Sequence, residues 1–228
     1  MRSNFDPGRT SVFIFDVNGV LLDSNRANAE AMAEAFTSDP VSRRRIAKFY
    51  LGLTGIDRGA KIRIIQEKLV GKPFAGGEFE LRWERFGDLA SKSMAAAPLT
   101  PGCREVLAEL GRRKKVRVAL SNTPEAELKN ILDAHALAPL LDIIRGGGDW
   151  PKAESLARFL GESGIEPLDC VLMGDGKGDL NAAKQCGMPF FGIDAGTDEF
   201  RAASGLPLMA RFGNLAEWGG NILGMEFS

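Results

Sequence analysis

Four short apolar runs, each breaking into a loop and then into a helical pattern, constrain the fold of this chain more than any other feature. They are "SVFIF" at 11–15, "VRVAL" at 116–120, "DCVLM" at 169–173 and "FFGI" at 190–193. Runs rich in β-branched and aromatic residues with little polar alternation suit strands buried on both faces, and a helix after each strand is the connection that parallel pairing needs. The intervening helices carry clean apolar faces: Cys103, Val106, Leu107 and Leu110 in one, Leu128, Ile131, Leu132 and His135 in the next, Leu156, Phe159 and Leu160 in a third. "DIIR" at 142–145 fits as one more short strand. The expected fold class is α/β, a Rossmann-like parallel sheet core flanked by helices.

One region breaks the rhythm. From Asn25 to Ala97 the chain offers "ANAEAMAEAF", "RRRIAKFY", "RGAKIRIIQEKL" and a long helical stretch from about Gly77 to Met94, with no convincing strand. Asp57 suits an N-cap, and Pro98 and Pro101 mark the return. The expected organisation is a core of residues 1–24 and 98–228 with an inserted all-helical cap domain at 25–97. At 228 residues the chain is long enough for both.

With 29 basic against 30 acidic residues, neither nucleic acid nor an anionic membrane is favoured as partner. Cys103, Cys170 and Cys186 are odd in number and widely spaced, so they are expected as reduced core residues rather than a disulfide or zinc framework. His135, the only histidine, falls on an apolar helix face; histidine triads and histidine metal sites are excluded by supply. No signal-peptide core is visible at the N-terminus and no apolar run approaches the ~20 residues of a membrane span, so a cytoplasmic protein is expected, monomer or small homo-oligomer. The charge runs "RRR" at 43–45 and "RRKK" at 112–115 are expected to be solvated.

In an open parallel sheet, ligands bind beyond the carboxyl ends of the strands. There the chain places Asp16, then Ser121, Asn122 and Thr123, then Lys152 after the loop "GGGDWP", then Asp175 and Asp179 in "GDGKGD". Converging carboxylates need a cation, and oxygen donors suit Mg²⁺ with Asp16 and Asp175 as ligands. A hydroxyl, helix-start amides and an ammonium are what a phosphate dianion requires, and Ser121, the Asn122 amide and Lys152 supply them. Asp179, four residues past Asp175, is placed to orient a water or a loop N–H. The dull alternatives are turn and cap roles for Asp16, Asp175 and Ser121 and a simple helix first turn around Lys152.

Four segments in this order, "FDVNGVLLDS", "VALSNTP", "GGGDWPKAESL" and "VLMGDGKGDLNAAKQCGMPFFGI", resemble the motifs of the haloacid dehalogenase superfamily of aspartate-nucleophile phosphotransferases. The resemblance is to the branch with a helical cap after the first motif, which includes phosphoglycolate-phosphatase-like and β-phosphoglucomutase-like enzymes. It implies that Asp16 attacks phosphorus, that the backbone carbonyl of Asn18 helps bind Mg²⁺, and that the cap selects the substrate. The implied activity is Mg²⁺-dependent hydrolysis of a small phosphorylated metabolite, with a sugar phosphate among the candidates. In the cap loop "GLTGIDRG", Gly55 and Arg58 are the candidate substrate-facing residues, Arg58 meeting an anion or else standing in solvent.

Asn18 departs from the pattern. Phosphatases of this family usually carry an aspartate there as general acid and base, and asparagine does neither job. Such catalysis contributes ~10²- to 10⁴-fold, so turnover is expected to be slow. Four explanations stay open: a specialised phosphatase, a non-catalytic phosphosugar binder, an engineered substitution, or deamidation of Asn-Gly. A phosphonatase-like hydrolase that dispenses with the second aspartate is a further alternative; its Schiff-base lysine position is Gly55 here, leaving Lys48 or Lys61 as substitutes.

Overall fold

The computed structural model describes residues 5–53, 56–147, 151–196, 200, 206 and 208–227. Among these, β1 (Val12–Phe15), β2 (Val116–Ser121), β3 (Ile143–Gly146), β4 (Cys170–Gly174), β5 (Phe190–Ile193) and β6 (Arg211–Phe212) form one sheet in the order β3-β2-β1-β4-β5-β6. Every pairing is parallel, with Val12 opposite Val116 on one side and Cys170 on the other. The expected α/β Rossmann-like core is therefore present. β6 was not expected, because two residues carry no period to detect.

The central strands are apolar throughout because both faces are covered. Phe13 and Phe15 enter the cluster holding Val106, Leu107, Leu110 and Trp218, whereas Val12 and Ile14 enter the one holding Leu156, Phe159 and Leu180. Side chains alternate between faces along a strand, so an uninterrupted run fills two cores. The covering helices are α5 (Cys103–Arg112), α6 (Glu125–Ala134), α7 (Lys152–Ser163), α8 (Lys177–Gln185) and the short α9 (Leu215–Trp218), and each follows a strand or leads into one.

Between β1 and α5 come α1 (Asn25–Phe36), α2 (Pro40–Leu51), α3 (Arg58–Ile65) and α4 (Glu78–Ala96). They share an apolar cluster of their own, built on Met32, Phe36, Ile46, Ile62, Ile65 and Phe86. Asp39 and Asp57 cap α2 and α3, each accepting from a backbone N–H at 2.8 Å. The helix expected through residue 69 ends as α-helix at Ile65, and residues Gln66–Val70 widen into a π-turn closed by Gly71 at φ 71°. The outgoing and returning linkers lie side by side: Asp23 N–H donates to Pro98 at 2.9 Å and Thr100 N–H to Leu21 at 3.1 Å.

One expectation about charges changes. The run at 112–115 is not simply solvated, since Lys115 donates to the Thr10 carbonyl at 2.6 Å and Arg113 to that of Leu223 at 2.7 Å. His135 caps α6, with Nε2 2.7 Å from the Met94 carbonyl at the end of α4. Cys103 and Cys170 are buried and Cys186 half-buried, all unbridged. No helix among the described residues is long and apolar enough to cross a membrane.

Candidate active site

β1 delivers Asp16 to the carboxyl edge of the sheet, where its backbone N–H donates to Met173 on β4 at 2.9 Å. Asp175 is the residue after β4, and Asp179 lies in the first turn of α8. Carboxylate oxygens of Asp16, Asp175 and Asp179 lie within 4.8 Å of one another, all buried. Lys152, first residue of α7, joins them, its Nζ 2.7 Å from Asp16 Oδ1 and 2.5 Å from Asp179 Oδ1. The second oxygen of Asp179 accepts from the Gly176 N–H at 3.1 Å, which holds the loop after β4.

Three carboxylates face one ammonium, and the titration behaviour shows the imbalance. Burial pushes Asp16 up to about 6 against the pull of Lys152. Burial, then the charges of Asp16 and Asp179, raise Asp175 well above the carboxylate range. For Lys152 burial works against the charged form, and the two neighbouring aspartates outweigh it, so the ammonium is held more firmly than usual. A dry all-oxygen cluster with surplus negative charge fits a hard divalent cation.

Beside the carboxylates, Ser121 ends β2 and is almost fully buried. Its Oγ accepts from the Thr123 N–H at 3.2 Å, bending the chain so that Asn122 and Thr123 face the cavity ahead of α6. A Cβ on Gly147 would sit 2.9 Å from Asn122 Cα, so only glycine lets the loop after β3 pass so close. Gly19, at φ 79°, is required for the same reason: a Cβ there would lie 2.3 Å from Asp175 Oδ2.

Asn18 enters the cavity wall through side-chain bonds that no motif in the sequence announces. Its Oδ1 accepts from Ser24 Oγ at 2.6 Å and from Asn28 Nδ2 at 2.8 Å, and Asn25 Nδ2 donates to Asp175 Oδ2 at 2.5 Å. Ser24, Asn25 and Asn28 stand at the start of α1. The available signal was two asparagines in the first turn of an otherwise alanine-rich helix, a position where that residue needs a partner.

The cavity enclosed by these residues and by α2, α3 and α4 has a volume of 110 Å³. Arg58 lines it, as a substrate-facing candidate would, and the solvated alternative does not hold. The residue is 8% exposed, so it is not solvated, and both guanidinium ends bind Glu127 on α6, at 3.1 and 2.7 Å. Trp83 and Phe86 lie under its guanidinium at 5.1 and 5.3 Å. Asp57 caps its helix as expected. Gly55 lies outside the described residues. Lys48 borders a different groove, whereas Lys61 lines this cavity.

Comparison with known proteins agrees with this architecture. The family model of haloacid dehalogenase-like hydrolases matches residues 10–187. The phosphoglycolate phosphatase of Vibrio vulnificus is 26% identical over 193 residues, covering 80% of this chain and 82% of its own. That of Rhodospirillum rubrum is 26% identical over 228 residues, covering 90% and 89%. Among solved structures, CbbY from Rhodobacter sphaeroides in complex with phosphate superposes with a TM-score of 0.75 at 19% identity, covering 92% of this chain and 96% of that one. A predicted phosphoglycolate phosphatase from Haemophilus somnus gives 0.74 at 18%, with the same coverage. A family match over most of the chain, on a sheet whose strand ends carry the four motifs, leads to one assignment: this protein belongs to the haloacid dehalogenase-like hydrolases, as a phosphoglycolate-phosphatase-like member and by class a phosphoric monoester hydrolase.

Proposed function

We propose that the protein hydrolyses the phosphate ester of a small metabolite with Asp16 as nucleophile, and that Mg²⁺ is its cofactor. The observation that carries this is the meeting of Asp16, Lys152 and two further carboxylates with the Ser121–Asn122 turn around one cavity. Asp16, Asp175 and the Asn18 backbone carbonyl would hold the metal, which when bound offsets the carboxylate charge and draws electron density from phosphoryl oxygens.

A carboxylate oxygen of Asp16 attacks phosphorus, an O–P bond forms, and the bond to the ester oxygen breaks. Ser121 Oγ, the Asn122 amide and Lys152 hold the phosphoryl oxygens during transfer. Lys152 also keeps Asp16 ionised at the moment of attack, since its ammonium lies against Oδ1. Water then attacks the aspartyl phosphate and releases inorganic phosphate. Both halves need a proton moved at the leaving or attacking oxygen, and the Asn18 amide does not move one. Leaving groups that depart without a proton are therefore the better substrates, and the second half is slow. The helical layer at 25–97 acts as a cap, a role supported by its separate apolar core and its paired linkers.

Phosphoglycolate, named for the curated relatives, is the first compound to test, and the small cavity supports a substrate of few carbons. The test is phosphate release from a panel of phosphoesters with and without Mg²⁺. Asp16→Ala is expected to abolish it, and release that survives Asp16→Ala would end the nucleophile assignment. The Asn18 side chain, tied through Oδ1 and without an acidic proton, favours one second reading, a binder that holds a phosphorylated ligand without turnover. Ligand-dependent thermal stabilisation with no release even in Asn18→Asp would select that reading.

A further inference from the structure

The cavity wall is rich in amides and poor in groups able to move a proton. Asn18, Asn25, Asn28 and Asn122 line it, and an amide holds a hydrogen-bonding partner without exchanging a proton with it. Oδ1 of Asn18 is taken by Ser24 and Asn28, so the group left to Asn18 is an NH₂. The other lining side chains that titrate are committed or of the wrong kind. Asp179 binds Lys152 through one oxygen and the Gly176 N–H through the other, and Asp175, a ligand of the proposed metal, accepts from Asn25. Arg58, Lys61 and Lys152 only donate, and Tyr50 is a phenol whose ring lies 4.4 Å from the Lys61 ammonium. His135, the only histidine, stands away from the cavity with Nε2 on the Met94 carbonyl. Among the described residues, none is placed to protonate a leaving oxygen or to deprotonate an attacking water.

The two halves of the reaction feel this lack differently. Transfer to Asp16 needs no proton when the leaving group is a stable anion. With an acyl phosphate, a carboxylate oxygen of Asp16 bonds to phosphorus, the P–O bond to the acyl oxygen breaks, and the electron pair departs on a carboxylate, the anion of an acid with a pKa of ~4. One carboxylate replaces another, so the bond formed matches the bond broken. An alkyl phosphate would instead expel an alkoxide that the site has no acid to protonate. Removal of the phosphoryl group from Asp16 requires water to lose a proton, and that half has no base. The cavity volume of 110 Å³ suits a donor of few atoms.

We propose that a small acyl phosphate is the donor this site serves, and that the phosphoryl group accumulates on Asp16. The chain then acts as a phosphoryl acceptor whose long-lived product is its own phosphoaspartate. This rests on the reading of Asp16 as nucleophile.

The experiment mixes the chain as given, Asn18→Asp and Asp16→Ala with acetyl phosphate or ethyl phosphate in Mg²⁺. The covalent phosphoryl group is followed by intact mass and peptide mapping, and released phosphate is measured in parallel. The parent is expected to gain close to one phosphoryl group per chain from acetyl phosphate, at Asp16, and to label far more slowly with ethyl phosphate. After removal of the donor, the label on the parent should outlast that on Asn18→Asp by ~10²- to 10⁴-fold, the worth of the missing base. Equal lifetimes in the two forms, or absence of label in the parent while either form releases phosphate, overturn the proposal and leave Asp16 as nucleophile. Equal labelling rates with the two compounds overturn the donor class. Labelling that survives Asp16→Ala, or neither label nor release in the parent and Asn18→Asp with both compounds, is instead a failure of the Asp16 reading, and the proposal falls with it.

Discussion

Asn28 donates its side-chain N–H to Oδ1 of Asn18 at 2.8 Å. With Ser24 donating to the same oxygen, the Asn18 amide is oriented oxygen toward α1, and its remaining polar group is an NH₂ that does not release a proton. An aspartate would accept the same two bonds. Asn18→Asp should therefore fold as well as the parent and raise steady-state phosphate release by ~10²- to 10⁴-fold, the usual worth of a general acid and base. Steady-state assays on both forms check it; equal rates would mean that no proton is handled at this position.

The carboxylate cluster predicts a response to metal that needs no catalysis. Mg²⁺ should raise the thermal midpoint, and saturation at a hundred times Kd corresponds to about 2.7 kcal/mol. Asp175→Asn removes one of three buried like charges while leaving an oxygen for Asn25 to bind. In EDTA this variant should be at least as stable as the parent, and it should lose the Mg²⁺-dependent shift. Thermal denaturation with EDTA and with Mg²⁺ provides the four midpoints.

Arg58 and Glu127 join α3 to α6 across the cavity, with Ser91 of α4 donating to the same carboxylate at 3.3 Å. Glu127→Ala leaves a buried guanidinium without its acid. Breaking a fully buried pair costs about 3–5 kcal/mol, and the partial exposure of Glu127 lowers the expectation to about 1–3 kcal/mol. Urea denaturation measures the loss. The double variant Arg58→Met, Glu127→Ala should recover part of it; no recovery would mean that the loss comes from Glu127 contacts other than Arg58.

At the edge of the sheet, Asp142 binds Arg117 through its side chain at 2.8 and 2.9 Å and accepts the Arg117 backbone N–H at 2.8 Å. The Arg117 hydrogen bond holds the Asp142 carboxyl below its ordinary value. A carboxyl depressed in the folded state contributes stability that is present above the unfolded value of 3.8 and fades as pH falls through the folded one. Asp142→Asn should thus lower stability at neutral pH, by less than about 1 kcal/mol for so exposed a pair, and the deficit should shrink below pH ~4. Denaturation curves at neutral and acid pH test the sign.

The sheet, its parallel character and the strand-end positions of Asp16, Ser121, Lys152, Asp175 and Asp179 were legible because each depends on local sequence, whereas the strand order was not. An apolar run ends, and the next residue stands at the sheet edge. The helical character of residues 25–97 was legible for the same reason. Arg58 was not: its partner lies 69 residues away on another helix, and no local pattern states the angle at which α3 meets α6. The bonds of Asn18 to Ser24 and Asn28 were also missed, although all three lie within ten residues. They form because the turn at Gly19 folds the chain back onto the start of α1. The two-residue β6 and the π-turn after Ile65 left no periodic trace.

By itself the sequence determined the fold class, the four strand ends and the chemical types gathered there, because hydrophobic periodicity sets which residues are buried and where strands stop. Tertiary structure alone decided which charges are matched. Lys152 sits between two aspartates, Arg58 is spent on Glu127, and Lys61 rests on Tyr50 with its charge available. Charge pairing depends on distances of a few ångströms between residues far apart in the chain, and only the packing of helices against the sheet sets those distances.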